Sequence, residues 1–301
     1  MLYQWLKKIQ LLVVILPLYS NVIYAQINVF ACEPEWAALA QELGGNLLKV
    51  YSATTAQQDP HHIQARPSLI AKTRRADIVV CTGAELEVGW LPLLLRKSAN
   101  NKIQPGQPGH FMAADQVLLL EKPVLLDRSQ GDVHASGNPH IHLDPRRITQ
   151  IASALADRLI RIDHKNQSAY QKNLNDFIQQ WSTAIKQWEQ KAQLLRGKRI
   201  VVNHNSWIYL ESWLKLERIA TLEPKPGIAP SSTHLSKVLA ELEQNPADMI
   251  LYANYQSDKA VQWLAKKTAI PVIALPFSVS NGESLLQWFD GLLNRLLEGS
   301  L

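Results

Sequence analysis

Two hydrophobic rhythms alternate along this chain. Short apolar runs bounded by polar loops are followed by segments in which apolar residues recur every three or four positions. The first rhythm is typical of buried parallel strands, and the second is typical of amphipathic helices. The alternation occupies residues 26–145 and returns at residues 197–301. The pattern therefore predicts an α/β protein with two lobes built on mostly parallel sheets.

Each lobe has its own series of predicted elements. In the first lobe we expect strands at residues 27–31, 47–51 and 77–80, helices at residues 36–43, 67–74 and 85–95, and a polar surface loop at residues 97–109. In the second lobe we expect strands at residues 199–202, 218–222, 248–252 and 271–275, with helices at residues 206–214, 232–243, 258–267 and 283–297. Pro and Gly near the predicted ends support these boundaries.

A long helical segment is predicted between the lobes, at residues 146–196. Its start is well marked, because Asp144 is a good N-cap and Pro145 is a good first helical residue. An apolar and partly aromatic stripe continues to Leu195, with a polar break at residues 163–166. This spacing indicates an amphipathic connector much longer than an average helix. A coiled-coil dimer is disfavoured because the stripe is irregular and the α/β rhythm returns after it.

The first 25 residues have the pattern of an export signal. Lys7 and Lys8 precede an apolar run at residues 11–18, and residues 23–25 offer a small-residue cleavage site. The run is too short for a transmembrane helix, which needs roughly 20 apolar residues. We expect cleavage and a periplasmic protein, and an uncleaved N-terminal anchor is the alternative. Cleavage would lower the formal charge from +5 to +3, since the segment holds two lysines and no acids.

The charge gives no support for nucleic-acid binding. Basic residues are scattered among acids, without a sustained basic block or a base-stacking motif. The only cysteines, Cys32 and Cys81, each close a predicted strand of the first lobe. In an oxidising compartment they could form a disulfide, although buried free thiols would also fit. Lipid modification of Cys32 is disfavoured, because a predicted strand separates it from the export run.

Three of the nine histidines occupy comparable places. His61 and His204 follow predicted strands, and His140 lies in the loop before the helix that starts at Pro145. Side chains beyond the carboxyl ends of strands converge on one crevice in open α/β sheets. The three imidazoles could therefore meet and form a transition-metal site. His142 would point the same way as His140 if residues 139–143 are extended. The other isolated histidines, His110, His134, His164 and His234, are interpreted as ordinary surface or core residues.

Several motifs together resemble one family, the periplasmic metal-binding proteins of zinc and manganese ABC importers. The motifs are Asp-Pro-His at 59–61, Arg-Pro-Ser at 66–68, the segment at 76–87, Asn-Pro-His at 138–140, Leu-Asp-Pro at 143–145 and Val-Asn-His at 202–204. The resemblance covers nearly the whole chain after residue 25. It implies two α/β lobes joined by a long backbone helix, with a metal at their interface held by His61, His140 and His204.

The chain departs from that family in two places. The loop at residues 275–283 lacks the Asp that many relatives provide as a further ligand. Water is the expected fourth ligand, and Glu283 or Asp59 is the alternative. Zinc relatives also often carry a His-rich loop before the second ligand, whereas residues 127–137 contain only His134. We therefore expect a weak metal-collecting role for this loop.

Ligand chemistry and missing motifs define the expected function. Three imidazoles without an inner carboxylate favour Zn²⁺ over Mn²⁺. The chain has no phosphate-binding GxxxxGK[ST] loop, so import would need a membrane permease and its cytoplasmic ATPase. We expect a monomer that delivers metal to them. A zinc hydrolase with an open three-histidine site is an alternative, but neither HExxH nor GxSxG is present. An adhesin with structural zinc is a third reading.

Overall fold

The computed structural model describes residues 26–123, 131 and 134–300. The predicted signal peptide at residues 1–25 lies outside the described residues, as does most of the segment 124–133. None of the described helices is both long enough and apolar enough to cross a lipid bilayer.

The first lobe is a parallel four-stranded sheet with helices on its faces. Its strands are β1 (Ile27–Ala31), β2 (Leu48–Ser52), β3 (Ile78–Cys81) and β4 (His110–Met112), in the order β2-β1-β3-β4. Its helices are α1 (Pro34–Gly44), α2 (Pro67–Arg75) and α3 (Leu91–Ser98). All four residues of β3 are buried, which agrees with the continuous apolar run expected of a central parallel strand.

Two predictions in this lobe were wrong in part. The helix expected at residues 85–95 begins only at Leu91, because Gly83, Ala84 and Glu85 have φ angles of 79°, 48° and 62°. These left-handed conformations are incompatible with a right-handed helix. The segment 97–109 is a loop region as expected, but β4 follows it and was missed. With three residues, β4 is too short to show a period.

The second lobe repeats the topology of the first. Its strands are β5 (Arg199–Val202), β6 (Glu217–Thr221), β7 (Met249–Ala253) and β8 (Val272–Leu275), in the parallel order β6-β5-β7-β8. Its helices are α6 (Ile208–Leu214), α7 (Ser232–Gln244), α8 (Lys259–Thr268) and α9 (Leu285–Gly299). All four predicted strands are confirmed to within a residue or two. The strand order of the lobes is the same although no sequence repeat is visible.

The connector consists of two helices. Helix α4 (Pro145–Ile162) starts at the predicted cap, where Asp144 accepts a hydrogen bond from the Arg146 amide at 3.0 Å. Helix α5 (Gln167–Lys191) begins after the polar break. It folds back along α4, since Trp181 of α5 donates to the carbonyl of Pro145 at the start of α4. The long helical connector is therefore a helical hairpin, whose 25-residue second helix runs between the lobes.

Aromatic side chains of α5 explain why the connector stripe is rich in tryptophan. The ring centroids of Trp181 and Trp188 are each within 5.3 Å of that of Phe289 on α9, and Trp188 also meets Trp213 on α6. These residues belong to one buried cluster that includes residues of both sheets. The two lobes consequently share an apolar core across the connector, and apolar burial opposes their separation.

Cys32 and Cys81 form the expected disulfide, with a Cα–Cα distance of 4.7 Å. The bond joins the carboxyl ends of β1 and β3, which are adjacent and parallel in the sheet. Both residues are fully buried. The sulfur of Cys32 is therefore used in this bond, which is incompatible with lipid attachment to Cys32.

A buried pair of carboxyl groups lies beside the disulfide. Thr82 directs its amide to Oε1 of Glu87 at 2.7 Å and to Oε2 of Glu33 at 3.2 Å. Burial raises the pKa of Glu87 to about 7, and burial together with the charge of Glu87 raises the pKa of Glu33 well above its usual range. Folding therefore favours the protonated form of this pair relative to the unfolded chain.

Removing the disulfide is expected to destabilise the protein strongly. The cross-link spans 49 residues, so its loss should lower the free energy of unfolding by about 4 kcal/mol. Denaturant unfolding of the Cys32→Ala/Cys81→Ala variant, compared with the oxidised parent, measures the difference. Equal unfolding midpoints for the two proteins would contradict a formed disulfide.

The carboxyl pair predicts a stability that falls as the pH rises. The pKa of Glu33 is raised above its ordinary 4.5, so folding takes up a proton between that value and its raised pKa. The metal-free parent should lose about 1 kcal/mol per pH unit more than Glu33→Gln between pH 5 and pH 7. Denaturant melts at several pH values give this slope. Glu298→Gln, which changes an exposed acid, is the control and should keep the parent's slope. Parallel curves for the parent and Glu33→Gln would contradict the proton uptake.

Candidate metal centre

Three histidines from distant parts of the chain meet between the lobes. His61 lies in the loop after β2, His140 in the loop before α4, and His204 directly after β5. One ring nitrogen from each lies within 4.8 Å of the corresponding nitrogen of the other two. The ring centroids are 5.6 to 6.0 Å apart. The structure thus brings together the three side chains that the sequence singled out.

Each of these rings is held by a hydrogen bond on its outer side. The Nδ1–H groups donate from His61 to Oδ1 of Asp59 at 2.8 Å, from His140 to Oδ1 of Asn138 at 2.8 Å, and from His204 to Oε2 of Glu223 at 2.6 Å. A carboxylate or amide oxygen can only accept, so the ring proton resides on Nδ1 in all three. In the neutral form of each ring, Nε2 is then the unprotonated nitrogen, and it lies on the side away from the outer acceptor. Such outer partners fix the tautomer and orientation of metal-binding histidines in known metal sites.

The outer acceptors have two different origins in the sequence. Asp59 and Asn138 each precede their histidine by two residues, and each also accepts a bond from that histidine's main-chain amide. Glu223 instead follows β6, the neighbour of β5, so sheet topology delivers it to His204. The first arrangement is local and repeated, whereas the second depends on the tertiary fold.

Burial favours the neutral form of His140, the most buried of the three rings. His140 is 1% exposed, and burial followed by the neighbouring rings of His61 and His204 lowers its pKa well below the usual range. Its Nε2 atom is buried and has no hydrogen-bond partner. Although burial raises the pKa of Asp59, its bonds with His61 lower that pKa overall. The site therefore combines imidazole nitrogens at the centre with carboxyl groups outside them, a donor set that fits a borderline transition-metal dication.

Sequence comparison decides the family. A family model described as "Zinc-uptake complex component A periplasmic" matches residues 29–299. The chain belongs to this family. Among its relatives, the manganese ABC transporter substrate-binding lipoprotein PsaA of Streptococcus pneumoniae is 22% identical over 274 residues, which is 87% of this chain and 85% of that protein. The high-affinity zinc uptake system protein ZnuA of Yersinia pestis is 24% identical over 223 residues, 67% of each chain.

Solved structures support the same fold. A crystal structure of ZnuA superimposes with a TM-score of 0.76 at 22% identity, covering 92% of this chain and all of that chain (100%). The predicted architecture of two α/β lobes joined by a long helix is thereby confirmed. The relatives are named for both zinc and manganese, so the family assignment identifies a metal-transport substrate-binding protein without choosing the metal.

The carboxylates considered as a fourth ligand lie elsewhere. Asp59 is engaged with the outer nitrogen of His61, and Glu283 accepts from the Ser280 amide in a cavity between α1, β2 and the loop before α9. Neither belongs to the group of described donor atoms within 4.8 Å of one another. Phe277 of the loop after β8 lies closer, with its ring 5.5 Å from that of His140. This member of the family therefore turns an aromatic ring, not an acid, towards His140.

His142 lies outside the three-histidine cluster and joins the lobes. Its Nε2–H group donates to the carbonyl of Phe277 at 3.0 Å, and its Nδ1 atom is 3.5 Å from Oε1 of Glu35 on α1. The hydroxyl of Ser278 donates to the other carboxylate oxygen of Glu35 at 2.5 Å. His142 is 2% exposed and stacks on Trp288. It supports the loop after β8 behind His140, and the sequence alone left its role open.

A second polar contact between the lobes runs on the other side of His140. Arg218 on β6 donates to Oε1 of Glu121 at 2.8 Å, and Asn205 donates to Oε2 of Glu121 at the same distance. Asn138, which fixes the His140 ring, donates to the carbonyl of Asn205. The orientation of His140 is therefore coupled directly to the second lobe.

His134 is the residue that sequence reasoning missed. Its Nε2 atom lies 3.3 Å from Nε2 of His61, and burial, followed by the charges of His61 and His204, lowers its pKa to about 3. The interpretation as an ordinary histidine is corrected by this position at the cluster. The only signal for His134 in the sequence is that it is the single histidine in residues 127–137. His110, His164 and His234 make no contact with the cluster among the described interactions.

The outer hydrogen bonds predict the ring tautomers of the metal-free protein. Long-range ¹H–¹⁵N spectra near pH 8 should show the Nδ1–H form for His61, His140 and His204, because their acceptors lie on that side. His234 provides an internal control with the opposite form, since its Nε2 donates to the carbonyl of Thr221 at 2.9 Å. Glu223→Ala should change the tautomer of His204 alone. An Nε2–H form at any of the three clustered rings in the parent would contradict the geometry.

Proposed function

We propose that this protein captures Zn²⁺ outside the cytoplasm and delivers it to an ABC permease for import. His61, His140 and His204 are the ligands, each through Nε2. One observation carries the proposal: three imidazoles from both lobes bring one ring nitrogen each to within 4.8 Å of one another. The hydrogen bonds to Asp59, Asn138 and Glu223 support this use, because they hold the rings before any metal arrives.

The donor types favour zinc over manganese. Imidazole nitrogen suits Zn²⁺, whereas Mn²⁺ prefers sites with more carboxylate and water oxygen. Among the described residues, the central group consists of nitrogen donors, and the nearby carboxylates are bound to the outer nitrogens. Affinity alone would also admit Cu²⁺ and Ni²⁺, so discrimination against them falls to metal supply and geometry.

Export and partners complete the proposal. Residues 1–25 act as a signal peptide that is removed on entry into the periplasm. The mature monomer then carries one ion between lobes formed by residues 26–145 and 197–301, with residues 146–196 as the connector. A separate permease and its cytoplasmic ATPase supply the pathway and the energy. The periplasmic description of the family model and the transporter names of the relatives support this assignment.

Zinc titration of the metal-stripped mature protein tests the proposal. Calorimetry should show one tight site per chain, and His140→Ala or His204→Ala should weaken binding at least about 100-fold, since each removes a direct ligand from a site that outer-sphere changes alone weaken 10–100-fold. Competition should show much weaker binding of Mn²⁺. His164→Ala, at an exposed histidine in the break between α4 and α5, is the matched control and should bind like the parent.

Two results would reject the proposal. The first is the absence of saturable zinc binding, and the second is binding that is unchanged in His140→Ala. Delivery is measured separately as zinc uptake into vesicles that contain the permease and its ATPase, with the loaded protein added outside. Uptake that is equally fast with His204→Ala would remove the transport role.

A further inference from the structure

His134 lies beside the proposed site, in a turn that is fixed by hydrogen bonds. The turn at residues 134–137 is closed by a bond from the Gly137 amide to the His134 carbonyl at 3.2 Å. Glu85 fixes this turn to the first lobe, because its two carboxylate oxygens accept from the amide and the hydroxyl of Ser136 at 3.2 and 2.9 Å. The His134 ring is thus held against His61 by a specific anchor.

The distance between the Nε2 atoms of His134 and His61 can be compared with the distance between two imidazole ligands of one zinc ion. Zinc binds imidazole nitrogen at about 2.0–2.1 Å in a tetrahedron, which places two such nitrogens about 3.3–3.4 Å apart. The observed separation of the two Nε2 atoms is 3.3 Å. Their ring centroids are 5.4 Å apart, close to the spacings within the three-histidine cluster. His134 therefore lies where a second ligand would lie relative to His61.

The protonation pattern is compatible with either a hydrogen bond or a metal at this contact. The proton of His61 is on Nδ1, where Asp59 accepts it, so its Nε2 has a free lone pair. Without metal, His134 can donate its Nε2–H to that lone pair. Its own Nδ1 is buried and has no hydrogen-bond partner. Transfer of the single ring proton from Nε2 to Nδ1 would free His134 for a cation without net release of a proton.

A second observation, a buried ring nitrogen without a hydrogen-bond partner, independently indicates that the cluster binds a cation. Nε2 of His140 is buried in a side chain that is 1% exposed, has no partner and faces the cluster. The His134 donor is not among the atoms that all lie within 4.8 Å of one another, so its ring must turn towards His140 and His204 to share an ion with them. The side chain has two rotatable bonds for this motion, while the backbone stays anchored at Glu85.

We infer that His134 is the fourth protein ligand of the captured metal, completing a set of four imidazoles with His61, His140 and His204. This inference rests on the proposed metal-binding function and replaces the expected water. It also gives the short segment before the second ligand a direct role at the site. Four nitrogen donors would strengthen the preference for Zn²⁺ over Mn²⁺ beyond that of the three alone.

Spectroscopy of the loaded protein tests the ligand number directly. Zinc X-ray absorption of the mature parent should fit four nitrogen ligands, and His134→Ala should fit three nitrogens and one oxygen from water. The same substitution should weaken zinc binding by at least about 10–100-fold, the range that outer-sphere changes already produce. His164→Ala is the control and should retain the parent spectrum.

A gain-of-signal variant separates ligation from a structural effect. His134→Cys should give Co²⁺-loaded protein a thiolate-to-cobalt charge-transfer band, because the new sulfur would bind the ion. His164→Cys, at an exposed position, should give none. A three-nitrogen, one-oxygen spectrum for the parent, or an unchanged affinity in His134→Ala with no new band in His134→Cys, would overturn the inference. If the parent bound no zinc at all, the proposed function itself would fail instead.

Discussion

The arrangement of the site depends on where three ring protons reside. Asp59, Asn138 and Glu223 each accept an Nδ1–H group, and this leaves Nε2 as the unprotonated nitrogen in the neutral form of each ring. Such a cluster has a cost in the absence of metal, because a buried polar atom without a partner loses about 1–3 kcal/mol. Nε2 of His140 is such an atom. The surrounding fold must supply that energy, and a dication at the centre would recover it.

Contacts between the two lobes around His140 provide this stabilisation. On one side, the contact between Arg218 and Glu121 joins the lobes and, through Asn205, reaches Asn138. On the other, His142 links Glu35 to the loop after β8. The aromatic core along α5 holds the lobes from behind. The His140 ring can turn only if several buried contacts break, so the arrangement of the three histidines is largely preformed.

The sequence predicted those parts that depend on local signals. Strand runs and the Asp144–Pro145 helix start are local, and because parallel strand ends converge, the meeting of His61, His140 and His204 followed from them. The sequence could not identify the hydrogen-bond acceptor of the His204 ring, since Glu223 reaches that ring only through the pairing of β5 with β6. The position of His134 was missed for the same reason, because its turn is fixed by Glu85, which is distant in sequence. Glu85 also has a left-handed backbone conformation, which delays the start of the predicted helix.

The outer carboxylates resolve the apparent lack of an acid at the centre. A dication surrounded by neutral imidazoles carries its full charge into a buried site, which is costly unless it is compensated. Asp59 and Glu223 each place a carboxyl group on the outer side of a ring of the proposed site, so two carboxylates would face a bound dication across the rings. The carboxylates would balance the charge of the ion across the imidazole rings, while the atoms that face the ion would be nitrogens. In the proposed site, this separation of charge balance from direct ligation would provide affinity for a dication without offering the oxygen donors that Mn²⁺ prefers.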